Sequence, residues 1–319
     1  MYDANLTKIK EKIAIQHEED EKQLEVIFSD SLRLIVEAPA GYGKTTTMIS
    51  RIAYLFASGK IPNPKRILGL TFSVNAALKI KREVASKLPS LIGTQNSPIT
   101  ISEKATITNY HGFCKAILKK YGYLISPILR KDINLFRALG DSEIEKQKAL
   151  KVILSTDELQ QLENMETAVK EARMPESQAI RLYNEIVKEK LLPLDIITHN
   201  AVILFVLEIF ERYAEVKKFY QNFYKLIVVD EFQDTNCIAW ALLEEIITDN
   251  TQLLFLGDPL QRIYGFIGAL PNIMASVVEQ YGMTKVVLSK NYRFRSNPEM
   301  LKLDKNVRAN ASTCFAPCI

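Results

Sequence analysis

The sequence predicts an α/β fold: a parallel sheet flanked by helices, interrupted by an inserted all-α subdomain. Three observations predict it. Short apolar runs without alternation, such as Leu226–Val229, recur along the chain, and this is the pattern of strands buried on both faces of a parallel sheet. One such run, Leu34–Val36, passes through a glycine-bearing loop into a helical stretch, a unit that places ligands at the carboxyl ends of strands. Between about 124 and 222 the strand-like runs give way to charged helical patterns, so a helical block lies between two strands of one sheet.

The chain has 319 residues, 47% of them hydrophobic and 24% charged, enough for a large core and about two units. A formal net charge of +4 permits nucleic-acid contact without arguing for it. The apolar run Ala201–Leu207 is far too short to cross a bilayer, and the charged N-terminus has no apolar signal core. No membrane partner and a cytoplasmic location are therefore expected. Cys114, Cys237, Cys314 and Cys318 are scattered, as in a reducing compartment. Cys314 and Cys318 lack the second ligand pair of a zinc site.

Taken in order, residues 1–30 read as one or two polar helices, with Gln23 standing 44 − 23 = 21 positions before Lys44. The strand Leu34–Val36 runs into Ala38-Pro-Ala40-Gly41-Tyr-Gly43-Lys44-Thr45-Thr46. The phosphate-loop pattern G-x-x-x-x-G-K-[ST] is met except that Ala38 replaces the first glycine. Glycines at 41 and 43 let backbone N–H groups curl round phosphates without a Cβ clash. The helix from Thr45 to about Ala57 adds its N-terminal dipole. Lys44 suits the β and γ phosphates, and the Thr45 hydroxyl suits Mg²⁺. These residues point to nucleotide binding.

Ile67–Leu70 is the next strand, followed by Phe72 and by Ser73 as N-cap of a helix to about Leu88. Phe72 sits at a strand end, where an aromatic can stack on a base or simply fill the core. Thr106–Thr108 is a third strand and leads to Tyr110 and His111. In the helical block, Ser155-Thr-Asp-Glu158 is a capping box, and Leu159, Leu162, Met165 and Val169 mark one helical face. Pro175 opens a further helix, and Pro193 separates it from an apolar helix around Ala201–Phe210.

The α/β pattern resumes at Leu226–Val229, which ends in Asp230 and Glu231. At that strand end Asp230 can hold Mg²⁺, and Glu231 can orient or deprotonate a water; the plainer alternative is a solvated acidic turn. A helix to about Ile247 carries Trp240. Leu253–Leu256 ends in Gly257-Asp-Pro-Leu-Gln261-Arg-Ile-Tyr264-Gly-Phe266, and Val286–Leu288 ends before Tyr292-Arg293. Asn297 caps a last helix with Pro298 at its first position.

Behind a phosphate loop, DEFQDTN, GDPLQRIYGF and NYR in this order resemble the UvrD/Rep-like branch of superfamily 1 DNA helicases, with matching blocks from Gln23 to Asn297. The resemblance implies a RecA-like P-loop NTPase domain over 1–123 and 223–319, with a helical insertion over 124–222. It implies ATP and Mg²⁺ as cofactors and single-stranded DNA as partner, with 3′→5′ translocation in the full protein. Residue by residue, Gln23 is similar to the adenine-reading glutamine, and Lys44 and Thr45 to the phosphate and metal residues. Asp230 resembles the metal aspartate, Glu231 the water-activating glutamate, and Gln261 the glutamine that senses the γ-phosphate. Tyr292 resembles the base-stacking tyrosine and Arg293 the γ-phosphate arginine. Phe72, Tyr110, His111, Tyr264 and Phe266 fall where the family contacts DNA.

The chain also departs from the family pattern. Thr46 stands where an arginine is common, Val74 and Asn75 replace an Asn-Lys pair, Phe266 replaces a tryptophan, and Ile267 replaces an arginine. Family members carry a second RecA-like domain that supplies another arginine, and nothing after Arg293 here matches it. The expectation is half of a helicase, weak or inactive by itself. A reading from another class is an ATP-binding regulatory or scaffold module of a repair or phage-defence complex, with a nuclease or repair factor as protein partner. A small-molecule kinase on the same loop leaves Gln261 and Tyr292-Arg293 without a purpose.

Overall fold

The computed structural model of the chain describes residues 2–92, 104–145 and 150–314; Cys318 lies outside them. The first half runs α1 (Tyr2–Gln16), α2 (Glu21–Phe28), β1 (Arg33–Glu37), α3 (Lys44–Ala57), β2 (Arg66–Thr71), α4 (Val74–Ile92), β3 (Ala105–Asn109) and α5 (Tyr110–Tyr121). The middle holds β4 (Arg137–Leu139), α6 (Asp141–Glu145), α7 (Thr156–Lys170), α8 (Ser177–Ile186), β5 (Ile196–Thr198), α9 (His199–Arg212) and α10 (Ala214–Phe223). The last part is β6 (Tyr224–Val229), α11 (Cys237–Ile246), β7 (Gln252–Gly257), α12 (Ile273–Tyr281), β8 (Thr284–Val287) and α13 (Pro298–Cys314).

Six strands form one parallel sheet in the order β3-β2-β6-β7-β1-β8. The unbroken apolar runs are explained by what covers each face. Leu34, Leu254 and Val228 lie side by side across the sheet. They join a core made with Ile13 of α1, Ile27 of α2, Met48 of α3 and Val84 of α4. Their neighbours Ile35, Leu253, Phe255, Ile227 and Val229 point the other way, into a core with Phe113 of α5, Phe205 of α9, Leu242 of α11 and Val277 of α12. Side chains alternate faces along a strand, so a strand covered on both sides must be apolar at every position. The α/β class and the parallel sheet are thus as the sequence indicates.

The insertion differs from the wholly helical expectation in one respect. β4 and β5 form a two-stranded parallel sheet, with Arg137 opposite Ile196 and Leu139 opposite Thr198. Each strand has three residues, too few for any periodic signal. The capping box is present: Glu158 N donates to Ser155 Oγ at 3.2 Å, and Ser155 N donates to Glu158 Oε2 at 2.7 Å. Leu162, Met165, Val169 and Tyr183 of the insertion share one core with Phe255 of the sheet. α9 packs on both α5 and α11. Helix α4 continues past Pro89 to Ile92, and Leu91 beyond the proline is buried. Burial of that leucine offsets the backbone hydrogen bond a proline removes. Among the described residues, no helix is long and apolar enough to cross a membrane.

Candidate active site

A cleft of about 690 Å³ opens at the carboxyl ends of the central strands and is lined by Gln23, Ala40, Gly41, Gly43, Lys44, Thr45, Thr46, Glu231, Gln261, Tyr292 and Arg293, among others. The phosphate loop between β1 and α3 forms its floor. Gly41 and Gly43 have φ of 90° and 81°, a left-handed backbone that costs a residue with a Cβ about 1–2 kcal/mol. Space matters as well: a Cβ on Gly41 would lie 2.6 Å from the Arg293 Cβ. Ala38, in the place of the first glycine, keeps negative φ and buries its methyl group in the core. Its substitution therefore leaves the loop intact.

The acids at the end of β6 face the loop. Lys44 Nζ donates to Glu231 Oε2 at 2.7 Å and lies 3.8 Å from Asp230 Oδ1. Burial pushes the Asp230 carboxyl up to about 6, the negative charge of Glu231 adds to that, and Lys44 opposes it. Asp230 Oδ1 is buried with no hydrogen-bond partner. A buried carboxylate oxygen that accepts no hydrogen bond, at the end of a strand facing the phosphate loop, is the hard-oxygen chemistry that Mg²⁺ takes. Glu231 has φ of 53°. A glutamate held in the left-handed region is strained by about 1–3 kcal/mol, and such strain gathers at functional sites.

The far wall is sewn to the loop. Tyr292 N donates to Gly41 O at 2.9 Å, and the Tyr292 hydroxyl donates to Asp20 Oδ2 at 2.7 Å. Asp20 also caps α2 by accepting from Lys22 N and Gln23 N. Gln23 is buried; its Nε2 donates to Tyr42 O at 3.1 Å and its Oε1 accepts from His17 Nδ1. His17 Nε2 in turn accepts from Ser50 Oγ at 2.8 Å. Gln261 lines the cleft with its Nε2 bound to Asp258 Oδ2 at 2.7 Å, and Arg293 is exposed at the rim.

The five aromatic and imidazole positions expected at a DNA face separate into two groups. Phe72 and Tyr264 stack with ring centroids 4.6 Å apart, Phe266 follows 6.2 Å from Tyr264, and Phe266 is 73% exposed. These three form a ridge on the surface. Tyr110 is a correction: its ring is buried in the core beneath the sheet, with its hydroxyl 3.3 Å from Thr235 Oγ1. Burial pushes its phenol well above the usual value, and no base can reach the ring. Tyr110, the first residue of α5, turns into that core with Phe113 and Ile117 of the same helix. His111 is partly buried, and its Nε2–H donates to His199 O at 3.2 Å. Burial, and then the neighbouring His199, bring its imidazole down to about 4.

Sequence reasoning missed His17, Asp20, Asp234, Asp258, Asp304 and Arg308. Asp20 was readable as an N-cap followed three positions later by a glutamine. Asp234 is buried, its Oδ1 lacks a partner, and its carboxyl is pushed up to about 7 by burial and then by the charge of Glu231. Asp304 meets Tyr42 from 262 positions away and Arg308 meets Asp258 from 50, and no local pattern announces such contacts.

ATP-dependent DNA helicase PcrA of Staphylococcus epidermidis is 28% identical over 290 residues, covering 86% of this chain and 38% of the relative. PcrA of Staphylococcus aureus is 27% identical over 285 residues, covering 85% of this chain and 37% of the relative. The chain therefore spans less than two fifths of the length of these curated relatives. The model of the UvrD/REP helicase N-terminal domain matches residues 19–282, a range that holds the phosphate loop, both acids, Gln261 and the ridge. The chain belongs to the UvrD/REP helicase N-terminal domain family.

Proposed function

We propose that this chain is the nucleotide-binding lobe of an ATP-dependent DNA helicase that moves along single-stranded DNA, in the 3′→5′ direction in the full protein. The observation that carries the reading is the cleft, where Lys44, Glu231, Gln261 and Arg293 converge with Asp230 directly behind Lys44. Residues 1–123 and 223–319 make up the nucleotide unit in this reading. Residues 124–222 are the insertion, and its last helices double as cover for the sheet.

Lys44 binds the β and γ phosphates. It now holds Glu231, so nucleotide binding exchanges a carboxylate for a phosphate and leaves Glu231 to take a proton from water. Thr45 and Asp230 fit Mg²⁺, which when bound supplies charge neutralisation on the phosphates. Gln23, with Ala40, Thr46 and Tyr292 beside it, forms the base end of the cleft. Gln261 and Arg293 address the γ-phosphate. The ridge of Phe72, Tyr264 and Phe266, with His111 nearby in sequence to β3, carries single-stranded DNA by stacking. The cleft and the ridge are close partners, because Gln261 and Tyr264 lie on one short segment after β7.

The test is a titration of the chain with a fluorescent, non-hydrolysable ATP analogue, with and without Mg²⁺. Saturable binding that strengthens with Mg²⁺ and is displaced by ATP is expected. Binding that is absent, or indifferent to competing ATP, would refute the reading.

A further inference from the structure

The last helix carries a device that local sequence does not reveal. Asp304 on α13 accepts at Oδ2 from the Tyr42 hydroxyl at 2.7 Å and from Asn291 Nδ2 at 3.1 Å. Its Oδ1 accepts from Arg308 Nε at 3.2 Å. One carboxylate thus ties the phosphate loop, through Tyr42, to the turn that carries Tyr292 and Arg293. Arg308 then reaches on: its Nη2 donates to Asp258 Oδ2 at 3.0 Å, and its guanidinium lies 5.9 Å from the Tyr42 ring centroid. Asp258 is 2% exposed, and among the described residues Arg308 is its one salt-bridge partner.

The same Asp258 oxygen accepts from Gln261 Nε2 at 2.7 Å. On the other side, Asp258 N donates to Gln233 Oε1 at 3.1 Å, and Gln233 Nε2 donates to Glu231 Oε2 at 3.0 Å. Glu231 holds Lys44. The bonds close a ring from the phosphate loop, through α13 and Asp258, past the water-activating acid and back to the loop.

We propose that Arg308, braced by Asp304, is a positioning residue for Gln261: it fixes the Asp258 carboxylate, and Asp258 fixes the Gln261 carboxamide. The proposal rests on the reading of Gln261 as the γ-phosphate contact. A carboxamide has two N–H groups. With one committed to Asp258, the amide plane is set and the second N–H is left for a phosphate oxygen. A buried carboxylate stripped of its cation must find another donor, take up a proton or move. Asp258 Oδ1 stays bound to Leu260 N at 3.1 Å, so the change falls on Oδ2, the oxygen that Arg308 and Gln261 share, and disturbs the Gln261 contact. Arg308 is not among the residues that line the cleft, so its influence falls on the discrimination between ATP and ADP and not on nucleotide binding as such.

The experiment compares dissociation constants of Mg-ADP and of a Mg-bound non-hydrolysable ATP analogue for the chain and its Arg308→Ala, Arg308→Lys, Gln261→Ala and Arg308→Ala/Gln261→Ala variants, with a thermal melt of each. Arg308→Ala should reduce the preference for the triphosphate by about fivefold, the size of one hydrogen bond's net contribution, with ADP affinity unchanged. Arg308→Lys should restore part of it. The double variant should lose no more than Gln261→Ala alone, since both act through one contact. Equal weakening of both nucleotides, or additive losses in the double variant, overturns the proposal. A preference lost in Gln261→Ala but kept in Arg308→Ala also overturns it and leaves the γ-phosphate reading standing. A preference unmoved even in Gln261→Ala overturns that reading, and this proposal with it.

Discussion

The cleft and the ridge stand a few residues apart at one end of the sheet, yet they are built on opposite principles. In the cleft the functional groups are already engaged: Lys44 by Glu231, Gln261 by Asp258, Gln23 by His17 and Tyr42. Its ligand must displace at least the charge-assisted Lys44–Glu231 bond. The ridge is the reverse. Phe72 stacks on Tyr264, Phe266 lies tilted beside Tyr264, and Phe266 is mostly open to solvent. A cleft of paired charges gives geometry and selectivity, because each partner exchanged has a fixed place. On the proposed reading, a bare ridge offers a stacking surface that tolerates any sequence, because every base has a π-face.

The contrast between the two regions is sharpest at Glu231. Wherever ATP turnover is measurable, with this chain or a longer form carrying it, Glu231→Gln should lower turnover by on the order of 10²–10⁴. Nucleotide affinity should be retained, and unchanged turnover would remove Glu231 from the chemistry. Next in size is Lys44→Ala. Truncating one partner of a close charge pair should reduce Mg-nucleotide affinity by on the order of a hundredfold, read by the same fluorescent titration. Normal affinity in a folded variant would mean the loop does not hold phosphate.

The ridge should respond to a different change. Phe72→Ala combined with Phe266→Ala should weaken binding of a single-stranded oligonucleotide by about 1–3 kcal/mol for each base that no longer stacks, with nucleotide affinity intact. Wild-type affinity for DNA in that variant would place the DNA elsewhere. A smaller effect separates the two regions by pH. The Asp234 carboxyl is raised from 3.8 to about 7 in the fold, so folding favours its protonated form. Its contribution to stability is present in full below about pH 4 and is lost as pH rises through about 7. Asp234→Asn, neutral throughout, should melt above the wild type at pH 8, with the gap narrowing as pH falls toward about 4. A gap independent of pH would contradict the buried charge. Smallest of all, Tyr110→Phe should leave DNA affinity unchanged and cost about 1 kcal/mol or less in stability, the worth of one weak hydrogen bond. A loss of DNA binding there would bring Tyr110 back to the surface.

How much of this was legible follows from what fixes each group. The phosphate loop and the acids after Val229 were readable because strand, loop and helix are contiguous, and contiguity sets their geometry. The central strands β6 and β7 were readable because strands covered on both faces cannot hide their apolar runs; the edge strands β3 and β8 are more exposed and carry a weaker signal. Tyr110 was misread because a position at a strand end says nothing about which layer the side chain enters. The β4–β5 pair was missed because three residues carry no period. The Asp304–Arg308 clasp was out of reach for a different reason: Tyr42 and Asp304 are 262 positions apart, and only the folded chain brings them together. Gln23 was assigned by resemblance, and the structure adds the buried His17 that holds its amide.

The central claim is that two separable sites, one for nucleotide and one for single-stranded DNA, share this lobe. The most direct measurement is a cross-titration. Wild type, Lys44→Ala and the Phe72→Ala/Phe266→Ala variant are each titrated with the Mg-bound ATP analogue and with a labelled oligonucleotide, and the melts are checked. Lys44→Ala should lose the nucleotide and keep the oligonucleotide, and the ridge variant should do the reverse. If either folded variant loses both ligands together, or the ridge variant loses neither, the two-site account is wrong.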